Sequence, residues 1–274
     1  MARLARLLCA MVVALPLAAH SAPDRVVSMN LCTDQLAMLV GPEQVVSVSY
    51  LASDPRSSAM AKEAEAYRAN RGLAEEIFLL KPDLVIAGTY TTRATVALLR
   101  KLGIPVIAFD PANSLGDVRA RIKQMGEALG QRDRAASLIA RFDADLKAAR
   151  AKTQERPRAA TYYANSYTSG PGTLAGSIMD AAGLANIAIE RGLDTGGTIA
   201  LEELIIENPD MIITGRPFET PALAEEVLRH PALADLRQRA ATAPVADRDW
   251  VCGTPFVIAA VRRLVAARNA VLNR

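Results

Sequence analysis

Histidine is almost missing from this sequence: the 274 residues include two, His20 and His230. A Ser-His-Asp relay needs an imidazole base, and a site for bare zinc or manganese wants several imidazoles. His20 falls in the leader described below, which leaves His230, beside Pro231 in a helical stretch away from any strand end. No GxSxG elbow, Walker loop or HExxH run occurs. An excess of charge of one sign is missing too. Without Arg3 and Arg6 of the leader, 32 basic residues become 30 against 29 acidic ones, so there is no electrostatic footprint for nucleic acid. The one long apolar run, 7–19, is shorter than the roughly 20 residues a membrane helix needs. Aromatic residues make up only 4%, so any cluster of them is informative.

The first residues carry two arginines, then that apolar run, then small residues around 19–22. This pattern reads as a secretory signal peptide over 1–21, with the mature chain starting at Ala22. Leu8 precedes Cys9 where a lipid-attachment site wants a small residue, so a soluble exported protein is expected. Export leaves two cysteines, Cys32 and Cys252. An oxidising compartment allows a disulfide between them. Thiolates ligating a metal and two ordinary thiols are the other readings.

The most informative pattern is an internal echo. EEIFLLKPDLVIAG at 75–88 returns 127 positions later as EELIIENPDMIITG at 202–215. Each copy reads as a helix end, a Pro-Asp turn, a short apolar strand and a closing glycine. Proline cannot donate into a helix and disfavours a helical residue before it, so Pro82 and Pro209 hand the chain to a strand. A continuous apolar run bounded by turn residues suits a strand buried on both faces of a parallel sheet.

Around the first copy, VVSM, a helix capped near Thr33, VVSVSY, an irregular stretch over 54–70 and a strand over 105–109 complete a small parallel-sheet lobe, 22–130. A helix over 131–152 follows, with Ala135, Leu138, Ile139, Phe142, Leu146 and Ala149 at helical spacing. At about 33 Å it is long enough to serve as a strut between lobes. The second lobe, 153–274, has a weak strand over 186–189, the second echo, a helical region broken at His230, a strand over 244–246 and a closing helix. The expected fold class is therefore α/β: two similar parallel-sheet lobes joined by one long rigid helix, with a ligand cleft between them.

In open parallel α/β sheets ligands bind beyond the carboxyl ends of the strands. Those ends carry Asn30, Cys32, Thr33, Tyr50, Tyr90 and Arg93 in the first lobe, and Asn165, Tyr167, Arg216, Trp250 and Cys252 in the second. Tyrosines, the only tryptophan and several arginines suit a bulky, partly anionic ligand with flat faces.

With these segments in place the chain resembles the helical-backbone substrate-binding proteins of ABC importers, which collect cobalamin, ferric siderophores or haem in the periplasm. The resemblance rests on VVSMN, LKPDLVIAG, LGIPVIAFD, the linking helix, SGPGTLAGSIMDAAGLANIA and NPDMIIT. It implies a non-enzymatic carrier whose lobes move little and which delivers a metal chelate or corrinoid to an inner-membrane permease. Such cargo brings its own metal ligands, so no resident cofactor and no metal-ligating residue is assigned. Family members often offer an acidic residue from each lobe to the permease. Here Arg93 opens the helix after the echo strand, and Glu219, Glu225 and Glu226 are available on the second lobe. The competing reading is an exported α/β enzyme using cleft carboxylates such as Asp34, Asp110 or Asp194.

Overall fold

The computed structural model describes residues 22–152, 155–215 and 222–273; the leader, Arg216 and Glu219 lie outside them. In chain order the first half forms β1 (Val26–Ser28), α1 (Leu31–Val40), β2 (Val45–Ser49), α2 (Ala61–Ala64), β3 (Arg68–Asn70), α3 (Ala74–Leu79), β4 (Leu84–Gly88), α4 (Arg93–Lys101), β5 (Val106–Phe109) and α5 (Leu115–Ala128). The linking helix α6 (Arg132–Ala149) follows. The second half forms β6 (Arg158–Thr161), β7 (Tyr167–Thr168), α7 (Leu174–Ala181), β8 (Ala185–Asn186), β9 (Gly197–Thr198), α8 (Leu201–Glu207), β10 (Met211–Thr214), α9 (Pro231–Arg239), β11 (Ala241–Pro244) and α10 (Val257–Leu272).

The two main sheets share one plan. The first has strand order β3-β2-β1-β4-β5 and the second β11-β10-β6-β8, all parallel. Superposing the echo strands β4 and β10 pairs β1 with β6, β5 with β11 and β2 with β8; only β3 lacks a counterpart. The echo turn does the same job in both lobes. Asp83 accepts hydrogen bonds from the backbone N–H groups of Asp24 (2.8 Å) and Arg25 (3.0 Å), while the Arg25 guanidinium donates to the carbonyl of Leu80 at 2.7 Å. Asp210 likewise accepts from the Arg158 N–H at 2.8 Å, and the Arg158 guanidinium donates to the carbonyl of Glu207 at 2.5 Å. Each lobe thus has an Asp-Arg clasp that ties the helix-to-strand turn to the start of the central strand. Lys81 (φ 49°) and Asn208 (φ 43°) supply the left-handed residue the turn needs.

Side chains alternate across each strand, and the two faces go to different cores. Val26, Leu84, Ile86, Met211 and Ile213 enter one large cluster with the buried face of α6, Ala135, Leu138, Phe142, Leu146 and Ala149. Val27 and Val85 face α3 and α4, and Ile212 faces α8 and α9. Helices α1 and α5 of the first lobe and α10 of the second all pack on α6. The lobes are therefore joined by a common core as well as by a strut. α5 meets α6 at Gly126, where an added Cβ would lie 2.4 Å from that of Ala135.

Several details differ from the sequence reading. The cap of α1 is Asn30, whose side chain accepts from the Cys32 N–H, and not Thr33, whose hydroxyl donates to the Asn30 carbonyl. The linking helix is shorter, 18 residues, because Arg150 turns to extended backbone (φ −57°, ψ 145°). The stretch read as irregular contains the edge strand β3. The strands expected over 186–189 and 244–246 form earlier, as β8 and β11. His230 caps α9 through Nδ1, which accepts from the Ala232 N–H at 3.2 Å.

Candidate functional site

The carboxyl ends of the two main sheets meet. Cys32, at the start of α1, and Cys252, in the loop before α10, form a disulfide with Cα atoms 5.0 Å apart. A second tie joins the loop after β2 to the turn after β11: Arg56 pairs with Asp247 at 3.3 Å, and the Arg248 N–H donates to the Arg56 carbonyl at 3.2 Å. The disulfide decides among the three cysteine readings and removes both thiolates as metal ligands. Cys32 itself lines the cavity described below. α1 packs on the α6 side of its sheet, and Trp250 and Val257, which flank Cys252 in sequence, belong to the shared core. The bridge thus lies at the floor between the lobes.

Beside it is a cavity of about 130 Å³ lined by Asn30, Cys32, Thr33, Leu36, Thr89, Tyr90, Phe109, Asp110, Arg121, Val251 and Gly253, among others. Four of the expected site residues meet here: Asn30, Cys32, Thr33 and Tyr90. Thr33 is itself buried, its hydroxyl bonded to that of Ser28 at 2.8 Å. Tyr90 is 83% exposed and Tyr50, at the end of β2, 56%. In the second lobe, Tyr167 is 41% exposed and stacks on Tyr163 with centroids 6.3 Å apart, and Val251, which lines the cavity, is 53% exposed. Asn165 is exposed and holds a left-handed conformation, φ 56°. Arg93 is exposed at the start of α4 and does not line this cavity. Arg216 lies outside the described residues.

Trp250 occupies a different place from the one expected. It is 7% exposed, belongs to the shared core, and meets Tyr163 edge-on at 5.9 Å. Its ring fills the floor and offers the cleft no open face. Glu225, named above as available to a partner, is buried at 5% exposure, while Glu226 is exposed. The sequence reading missed Arg121, which reaches the cavity from the second turn of α5. It also missed the apolar wall of Leu36, Phe109 and Val251.

Under the site lies a buried polar group. Asp34 is fully buried, accepts from the Ser49 hydroxyl, and has one carboxyl oxygen without a partner. Burial pushes its pKa up to about 7, against the opposing pull of the nearby Ser28 and Ser49 hydroxyls. Asp34 has no opening to the cleft, so it is a poor candidate for chemistry on a ligand. Among the described residues no group of three or more His, Cys, Asp or Glu side chains is placed to hold a metal, and no helix is long and apolar enough to cross a membrane.

Two like lobes on a common core, with an aromatic-edged cleft where their strand ends meet, define a two-lobed binding protein. The chain belongs to the periplasmic binding protein family, whose model matches residues 26–241. A cobalamin-binding protein of Halobacterium salinarum is 30% identical over 201 residues, covering 71% of this chain and 54% of that one. An uncharacterized ABC transporter substrate-binding lipoprotein of Bacillus subtilis, YvrC, is 26% identical over 205 residues, covering 70% of this chain and 63% of its own length. The chain thus spans about half to two thirds of the curated relatives it matches. Among solved structures, the apo periplasmic heme-binding protein RhuT of Roseiflexus superposes with a TM-score of 0.74 at 24% identity, covering 90% of this chain and 98% of that one. The vitamin B12-binding protein BtuF of Vibrio cholerae gives 0.68 at 19% identity, covering 92% and 99%. At these identities the structural likeness establishes the fold.

Proposed function

We propose that this protein is the exported solute-binding component of an ABC importer, and that it captures a bulky metal chelate or corrinoid between its lobes and passes it to a permease. The observation that carries the reading is the cavity beside the Cys32–Cys252 bridge, where the exposed side chains of Tyr90 from the first lobe and Val251 from the second stand beside the apolar Leu36 and Phe109. A monomer seldom leaves such residues grouped around a cleft unless something flat and apolar covers them. The frame behind them is tied by α6, by the shared core and by the Cys32–Cys252 bridge. A tied frame suits a preformed cleft that takes its ligand without large closure. The bridge also fits an oxidising compartment outside the cytoplasm. The names of the relatives, a cobalamin-binding protein and heme- and B12-binding neighbours, point to the same size and class of cargo.

The test is native mass spectrometry of residues 22–274 with cyanocobalamin, haemin, and ferric hydroxamate and catecholate chelates. The expected result is a single adduct at one-to-one stoichiometry with one member of the panel. Absence of any adduct at micromolar concentrations would overturn the proposal.

A further inference from the structure

The two copies of the echo share a backbone but leave different surfaces in water. In the second lobe α8 is laced with ion pairs. Arg191 pairs with Glu203 and, at 3.5 Å, with Glu207; Glu207 also takes Arg158 at 2.6 Å, and Ile206 is the one large apolar side chain of α8 left exposed. In the first copy the position of Ile205 is taken by Phe78, that of Ile206 by Leu79 and that of Glu207 by Leu80. Ile205 packs against its core, whereas Phe78 is half exposed and Leu79 is 76% exposed. α4, which packs beside α3, adds the exposed Leu98 and Leu102, and the exposed Leu73 precedes α3. Large apolar side chains thus gather in water on one flank of the first lobe, on the side of its sheet away from α6. Grouped surface of this kind marks a contact with a partner.

The charge on this flank is mostly of one sign. α4 carries Arg93, Arg100 and Lys101 and no carboxylate, and Arg71 and Lys81 stand exposed on either side of α3. Of the acids nearby, Glu76 accepts from the Arg71 N–H at 2.8 Å and Asp83 is held in the clasp, which leaves Glu75. Cations around protruding leucines and a phenylalanine fit an anionic lipid surface. The apolar groups enter the acyl boundary, and the long basic side chains reach the phosphates. A second copy of the chain fits less well, because a two-fold contact sets a patch against itself and here brings the cations of α4 towards one another. We infer that the α3–α4 flank binds the surface of an anionic phospholipid bilayer, as a peripheral contact and not as a span. For the carrier proposed above, such a hold keeps it beside the membrane that contains its permease. The contact uses none of the residues that line the cavity.

The experiment is flotation of residues 22–274 with vesicles of phosphatidylglycerol and phosphatidylethanolamine, and with neutral phosphatidylcholine vesicles, at low salt and at about 0.5 M salt. The proteins are the wild type, Leu79→Ser with Leu102→Ser, Lys81→Gln with Lys101→Gln, and Ile206→Ser as the control on the second lobe. All five positions are exposed, and each protein is first checked for a native circular dichroism spectrum. The wild type floats with the anionic vesicles and not with the neutral ones, and salt releases it. Each lysine removed weakens partition by about fivefold. The leucine pair weakens it by about tenfold or more, and Ile206→Ser leaves it within about twofold. A wild type that stays off anionic vesicles at low salt, or floats equally with neutral ones, overturns the inference. So does partition untouched by the leucine or lysine pair, or lost equally with Ile206→Ser. Sedimentation velocity of the lipid-free protein covers the remaining occupant: a dimer abolished by the leucine pair assigns the flank to a second copy and overturns the lipid contact.

Discussion

Replacing both cysteines, Cys32→Ser with Cys252→Ser, removes a bridge that closes a loop of 220 residues. Chain-entropy arithmetic assigns such a crosslink roughly 5 kcal/mol, acting on the unfolded chain, and measured values for native bridges fall at about 2–5 kcal/mol. Two features favour the upper half of that range. The Cα atoms lie 5.0 Å apart, within the ordinary span for a bridge, and the loop takes in most of the mature chain. For a chain of this size each kcal/mol moves the melting temperature by about 2–4 °C. The double variant should therefore melt about 10 °C below the oxidised wild type. The assay is differential scanning calorimetry of both proteins, with the wild type repeated under a phosphine reductant. The reduced wild type should fall towards the variant, and the variant should ignore the reductant. A drop under about 3 °C, or two titratable thiols in the unfolded but unreduced wild type, would refute the reasoning.

Two further outcomes follow from burial. Trp250→Ala empties a site in the shared core and should cost about 3–5 kcal/mol in urea unfolding, whereas Tyr90→Ala, 83% exposed, should change stability by no more than about 0.5 kcal/mol. Only Tyr90→Ala reads directly on binding, and calorimetry with the cargo should show weaker affinity. Asp34 sets a pH dependence. Its folded pKa, about 7, stands above the ordinary 3.8, so its contribution is full below the ordinary value and is lost as pH rises through about 7. Wild-type stability should thus fall between pH 5 and pH 9, by a few kcal/mol at most, and Asp34→Asn should flatten that slope in urea titrations at the two pH values.

Much of the frame was legible because it is written locally. The echo shows a helix end, a Pro-Asp turn and a buried strand within fourteen residues, 75–88, and each part has a short-range physical cause. The work of its aspartate was not legible, because Asp83 bonds to a backbone 58 residues away. β3 escaped for a similar reason. Arg68, Ala69 and Asn70 carry no strand pattern, and the strand is held by Asn70 reaching the Ser28 carbonyl and the Ser47 hydroxyl, each at 2.9 Å. Strand ends located Asn30, Cys32, Thr33 and Tyr90 because the rule concerns residues directly after strands. Arg121 sits on a helix and arrives only by the length of its side chain. Trp250 was misplaced because an aromatic ring after a strand serves equally for binding or for packing, and only the neighbouring Tyr163 decides. The arginines near the cleft pointed to an anionic ligand.

The paired Asp-Arg clasps have a practical consequence for redesign. They lie at the starting ends of the central strands, whereas the cavity is lined from the segments that follow β1, β4 and β5, together with Leu36 of α1 and Arg121 of α5. The sequence already shows divergence after the two echo copies, since 89–93 and 216–220 share no residue at equivalent positions. Loop grafting should therefore be tolerated at 89–92 and 110–114, with the turns at Asp83 and Asp210 kept fixed. A new cargo specificity could be fitted to this scaffold without altering the parts that hold each lobe together.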